Sequence, residues 1–235
     1  MRLDVLYIKG KPSINNDLEL KYSLRSLETY GYNYRRVFIT GECPDFIDKT
    51  KVIYTPAEDI GCPMINHWWK VTETIKKTDI STNFVLMYDD IFFKCYTNIS
   101  QTPMYIKGLL QESTNGGERY RENLENAERW LQEHGHSTYD FEVHKPIAYN
   151  RNKFLKLGKI FEPLKQEQVA MAVRSIYGNL YTKIAVKTPD VKIREADERV
   201  ENLNTDCFSV SDRAFSCHVQ EWLEKEFPNK GRYEK

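Results

Sequence analysis

Through the first ninety residues, apolar positions fall in short runs whose spacing alternates between two periods. "LDVLYI" (residues 3–8), "RRVFIT" (35–40), "KVIYT" (51–55) and "NFVLMYDD" (83–90) are brief and rich in β-branched and aromatic residues, which predicts four strands. Between them, residues 16–30 place Leu20, Leu24 and Leu27 at helical spacing, with Asn15 or Asn16 as N-cap. "CPMINHWWKVTETIKK" predicts a second helix from about Asn66, with Trp68 and Trp69 pointing different ways, one into the core and the other free to stack on a sugar or base. Strands alternating with helices predict an α/β fold, a mostly parallel central sheet flanked by helices. Ligands of such sheets gather beyond the carboxyl ends of the strands, here Tyr7 to Lys9 and Asp89 with Asp90.

The pattern changes after residue 95. Residues 111–140 are the most polar part of the chain: "TNGG" marks a loop, and Tyr120, Leu124, Ala127 and Leu131 mark a helix that stops at Gly135. "FEVHKPIAYNRNKF" predicts a strand with His144 at its end, then a helix starting at Asn152. "EPLKQEQVAMAVRSIYGNLY" predicts one long amphipathic helix, with Glu167 and Arg174 as its residues facing a site. The last segment holds Asp206, Asp212 and His218, and "FPNKGRYEK" predicts a frayed end.

Composition narrows the function classes. With 235 residues and 40% hydrophobic content, a sizeable core is possible, and 34 basic against 34 acidic side chains give no overall nucleic-acid footprint. No apolar run approaches the ~20 residues of a membrane span. The N-terminus lacks a cleavable leader pattern, so a cytoplasmic location is expected. Five scattered cysteines, Cys43, Cys62, Cys95, Cys207 and Cys217, lack zinc-ligand spacing and read as free thiols. No internal repeat is visible.

Candidate chemistry centres on Asp89 and Asp90. Two acids carried out of an apolar strand either begin a solvated turn or hold a hard cation, Mg2+ or Mn2+, which prefers carboxylate oxygens and completes its shell with water and phosphate. Asn66 and Lys70, one helical turn apart, suit a sugar or its phosphate. His144, near neutrality when unperturbed, suits a base.

The order of elements resembles the GT-A (Rossmann-like) fold of nucleotide-diphosphate-sugar transferases, whose acidic motif ends a central strand. The wording of "LDVLYIKG", "NNDLELKYSLRSLETYGYNYRRVFITGECPDFI", "PMINHWWK" and "LMYDDIFF" is similar to the Stealth family of hexose-1-phosphate transferases, with a weaker likeness in "VHKPIAYNRNKF". The likeness covers roughly residues 3–93. It departs at "KGKPS" after the first strand and at "HWWK", where the family has an acidic residue.

The resemblance implies a single GT-A-like domain over 1–235, with 1–95 as the nucleotide-sugar-binding half and 96–235 as the acceptor-side half. It implies a metal-dependent glycosyltransferase using a nucleotide-diphosphate sugar, a UDP-sugar foremost. Donor contacts would come from Tyr7, Lys9, Arg25, Asn66, Lys70 and Asp89, and metal contacts from Asp89 and Asp90. Catalytic groups would come from His144, Asp212 and Glu167. The acceptor would be a glycan or a hydroxylated base in DNA, the latter suggested by interleaved basic and aromatic residues in "YGYNYRR" and "HKPIAYNRNKF". A Stealth-like sugar-phosphate transferase and a non-catalytic nucleotide-sugar or glycan-binding module are the alternatives.

Overall fold

The computed structural model describes residues 2–113, 116–215 and 217–235. Two sequence expectations, the first half of the "TNGG" loop and the thiol of Cys217, lie outside the described residues. Strand β1 (Leu3–Lys9) is buried along its whole length, as a central parallel strand covered on both faces must be. It pairs in parallel with β2 (Tyr34–Gly41) on one side and β4 (Asn83–Tyr88) on the other. β3 (Ile53–Thr55) extends the sheet beyond β2. The opposite edge is β6 (Ile147–Asn150), antiparallel to β4. The order is therefore β6-β4-β1-β2-β3.

Two helices link these strands. In α1 (Leu18–Tyr30), Leu20, Leu24 and Leu27 pack on Val5, Tyr7, Val37 and Ile39. Neither Asn15 nor Asn16 caps it. Asn16 and Asp17 both adopt left-handed backbone, and Asp17 instead accepts a bond from the Ser13 amide and pairs with Lys9. Helix α2 (Pro63–Lys77) begins three residues before Asn66 because Pro63, with φ preset and no N–H to satisfy, suits the first turn. Met64, Ile65, Trp68, Val71 and Ile75 form its buried stripe, packed on the face of the sheet that carries Leu6 and Phe38.

Beyond the sheet, β5 (Ile91–Phe93) pairs with β8 (Cys207–Val210), which pairs with β7 (Lys192–Ile193). Helix α3 (Glu118–Glu133) has the predicted stripe of Leu124, Ala127 and Leu131, and the chain turns at Gly135 with φ of 71°. Asn150 caps α4 (Arg151–Lys156) by accepting from the Asn152 and Lys153 amides.

The long helix expected after Phe161 is not formed. Only α5 (Val173–Tyr181) is α-helical there, after a short 3-10 turn at Glu162–Leu164. The amides of Ala170 and Ala172 bond to the Asn123 side chain and carbonyl of α3, so they are not available to a helical ladder.

The tail is not frayed. Tyr233 is buried, Glu234 bridges to Ile47, and the segment follows α6 (Cys217–Glu226) back onto α1. No helix among the described residues is long and apolar enough to cross a membrane. Cys43, Cys62, Cys95 and Cys207 are free thiols, as expected.

Candidate functional site at the carboxyl ends of β1 and β4

The chain runs from β1 outward through β2 and β3, then returns to place β4 on the other side of β1. That reversal makes the carboxyl ends of β1 and β4 a topological switch point, where adjacent connections leave in opposite directions and open a crevice. A cavity of about 480 Å³ lies there. Its wall includes Lys9 and Gly10 from the end of β1, Tyr88, Asp89 and Asp90 from the end of β4, and Asn66 and Lys70 from α2.

Pairing of β1 with β4 ends at Ile8 and Tyr88, so Lys9 and Asp89 leave the sheet side by side. Lys9 is only 2% exposed, 3.3 Å from Asp89 and 2.8 Å from Asp17. Lys70 is bound by Asp59 at 2.5 Å and donates to the Lys9 carbonyl at 2.7 Å. Asn66 lines the cavity, but its amide group is occupied: it accepts from the Ile60 and Gly61 amides and donates to the Gly61 carbonyl, fixing the loop that precedes α2.

The two acids have different surroundings. Burial, followed by the charge of Asp90, pushes the Asp89 carboxyl up to about 6 in spite of Lys9. Burial acts on Asp90 as well, yet Lys192 at 3.0 Å and the Ser209 hydroxyl at 2.8 Å hold it net below the usual carboxylate range. These partners come from β7 and β8, over a hundred residues later in the chain. Both acids lie in the two-residue turn between β4 and β5 and line the cavity.

Asp89 and Asp90 are the residues of the cavity that could hold a divalent cation, and each is paired with a lysine, Lys9 and Lys192. Burial and the neighbouring Asp90 disfavour the ionised form of Asp89, and a bound cation would favour it. Among the described residues no group of three or more His, Cys, Asp or Glu is placed to hold a metal ion. A pair of carboxylates completed by water and substrate phosphate is the usual manner of Mg2+.

His144 also lines the cavity, three residues before β6 rather than at a strand end. Its Nδ1 is 2.8 Å from Asp190, which is itself paired with Arg194 at 2.7 Å. Asp190 is held well below the usual carboxylate range by its bonds to His144 and Arg194, which outweigh its burial. An ionised carboxylate only accepts, so Nδ1 carries the proton and the imidazole lone pair sits on Nε2. Acidic neighbours lead one to expect an elevated imidazole pKa, but His144 is shifted downward, first by burial and then by Lys192, against the pull of Asp190 and Asp90. It is a neutral imidazole at pH 7.

Four predicted residues lie elsewhere. Tyr7 is buried against α1, its hydroxyl 3.2 Å from Ser23, because strand alternation turns it to the face away from α2. Arg25 grips Glu234 with two bonds, at 2.6 and 2.8 Å, and donates to the Phe227 carbonyl, so it ties down the C-terminal tail. Glu167 is exposed in an adjoining cleft, placed there by the non-helical segment before α5. Asp212 is exposed in the turn after β8. The expectation for the tryptophans is met in part: Trp68 is core, while Trp69 packs under Lys165 outside the cavity. Arg35 and Arg36, which suggested nucleic acid, clamp the buried Asp4.

Sequence reasoning missed Lys192, Tyr120, Glu142 and Asp59, which all line the cavity. Only their charge or aromatic character was visible: Lys192 is brought to Asp90 by a strand over a hundred residues later, and Asp59 comes from the loop before α2, where it pairs with Lys70. No protein-family model matches the chain, and no curated protein shows significant similarity to it.

Proposed function

We propose that the chain is a GT-A-like transferase that moves a sugar from a nucleotide-diphosphate sugar to an acceptor hydroxyl, with Mg2+ or Mn2+. One observation carries the reading: two adjacent carboxylates and a buried lysine converge at the switch point of a parallel sheet, in a cavity large enough for a substrate. Asp89 and Asp90 would hold the cation, whose chemistry is Lewis-acid stabilisation of the leaving diphosphate. Lys9 and Lys70 place fixed positive charge at the same end of the cavity, where negative charge develops as the diphosphate departs.

In a direct displacement, the acceptor oxygen bonds to the anomeric carbon as the bond to the diphosphate oxygen breaks. The acceptor proton passes to His144 Nε2, and Asp190 steadies the resulting imidazolium through Nδ1. The test is incubation with a panel of nucleotide sugars, Mn2+ and acceptor hydroxyls, read by mass spectrometry. Released nucleoside diphosphate with a glycoside supports the reading. A phosphodiester product instead identifies sugar-phosphate transfer, and no turnover of any donor contradicts the reading.

A further inference from the structure

Three of the four cations on the cavity wall are already paired. Lys9 has Asp17 and Asp89, Lys70 has Asp59, and Lys192 has Asp90. Arg174, the fourth, differs. It is 2% exposed, and its Nη1 donates to the carbonyls of Val143 and Lys145. Its Nε and Nη2 are buried and have no hydrogen-bond partner among the described residues. A buried guanidinium with two idle donors is costly unless something else takes them. The two idle nitrogens form one edge of the planar group, the fork that matches a carboxylate or phosphate with two parallel bonds.

The position of this fork is informative. Arg174 sits with its guanidinium carbon 4.3 Å from the centre of the Tyr88 ring, beside Glu142 and Tyr120 on the cavity wall. It bonds the segment that leads into β6, on the far side of β4 from β1. Neighbouring strands are ~4.8 Å apart, so this region lies roughly 10 Å across the sheet from the end of β1. That puts it about two strand spacings from Lys9 at the end of β1, and about one from Asp89 and Asp90 at the end of β4.

We infer that Arg174 is the receptor for a second oxyanion, a phosphoryl or carboxylate group carried by the sugar moiety of the substrate. The cavity would then select an anionic sugar, a hexose phosphate or a hexuronate, over a neutral hexose. The inference rests on the cavity being the sugar site proposed above. Nε and Nη2 have no solvent contact, so binding parts the cavity wall beside Arg174 and changes the packing of the α5 N-terminus.

The experiment measures binding of glucose 6-phosphate, glucuronate and glucose to the full chain by calorimetry, with Mg2+ present. At least one anionic sugar is expected to bind roughly tenfold more tightly than glucose, the scale of a lost charge-assisted contact. The tighter of the two identifies the oxyanion. Arg174→Gln should remove the preference and Arg174→Lys should weaken it. Equal binding of all three sugars, or a preference that survives in folded Arg174→Gln, overturns the inference.

If the variants do not fold, hydrogen exchange on the unaltered protein decides. The anionic sugar, and not glucose, should protect peptides covering residues 142–146 and 173–177, and equal protection by both overturns the inference. Uridine diphosphate binding is followed in parallel. Its absence counts against the donor reading alone, while the sugar preference decides the role of Arg174.

Discussion

At Asp89 burial and the charge of Asp90 outweigh Lys9, whereas at Asp90 Lys192 and Ser209 outweigh burial, and this difference separates their contributions to stability and function. Asp89 titrates near 6 in the folded chain, against ~3.9 for an unperturbed Asp. Between those values the folded state binds more protons than the unfolded, so this residue's contribution to stability falls as pH rises from about 4 to about 6, then levels off. The cost at pH 7 is on the order of 3 kcal/mol. Asp89→Asn should therefore raise the melting temperature at pH 7.5 while abolishing turnover, and the gain should vanish near pH 4. Asp90 has the opposite sign. Its stabilising contribution is present above about pH 4 and lost as pH falls below it. Asp90→Asn leaves Lys192 without a carboxylate and should lower stability at pH 7.5. Thermal melts of both variants across pH 4–8 check this, and equal shifts for the two would contradict it. Paired acids pushed apart in this way are a feature of sites that do chemistry, where stability is given up for function.

At the scale of elements, local pattern was a good guide where a segment's neighbours are close in sequence. β1, α1, β2, α2 and β4 follow their apolar periodicity, and Asp89 with Asp90 follows from where β4 stops. The guide failed where distant segments decide the outcome. The stretch after Phe161 has helical spacing, but Asn123 and Asn126 of α3 take its backbone groups. Arg25 reads as an exposed helix residue or a phosphate ligand, and only the fold brings Glu234 to it. That pair fastens the tail against α1, with Tyr233 buried beside it. Arg25→Ala should cost ~1–3 kcal/mol, since Glu234 and the Phe227 carbonyl lose their partner in a partly buried place. Urea unfolding measures the loss, and nucleotide affinity should be unchanged because Arg25 does not reach the cavity. Weaker nucleotide binding with unaltered stability would return Arg25 to the site.

The molecule as a whole gathers its site from three directions: the central sheet supplies Lys9, Asp89 and Asp90, α2 supplies Lys70, and the later half supplies His144, Arg174 and Lys192. The first two were legible, since a parallel sheet dictates where its ligand crevice opens. The third was legible for His144, and for Arg174 as one face of a misjudged helix. Lys192 had no signal, because a lysine on a two-residue strand looks like any surface lysine until β8 carries it to Asp90. The proposed function requires the switch-point acids to receive a nucleotide-diphosphate sugar together with a cation. The most direct measurement is calorimetric binding of UDP-sugars to the unaltered protein and to Asp89→Asn, each with Mn2+ and with excess chelator. Binding to the unaltered protein should require Mn2+ and be lost in a folded Asp89→Asn variant. Binding that is indifferent to both the cation and Asp89 would contradict the proposed function.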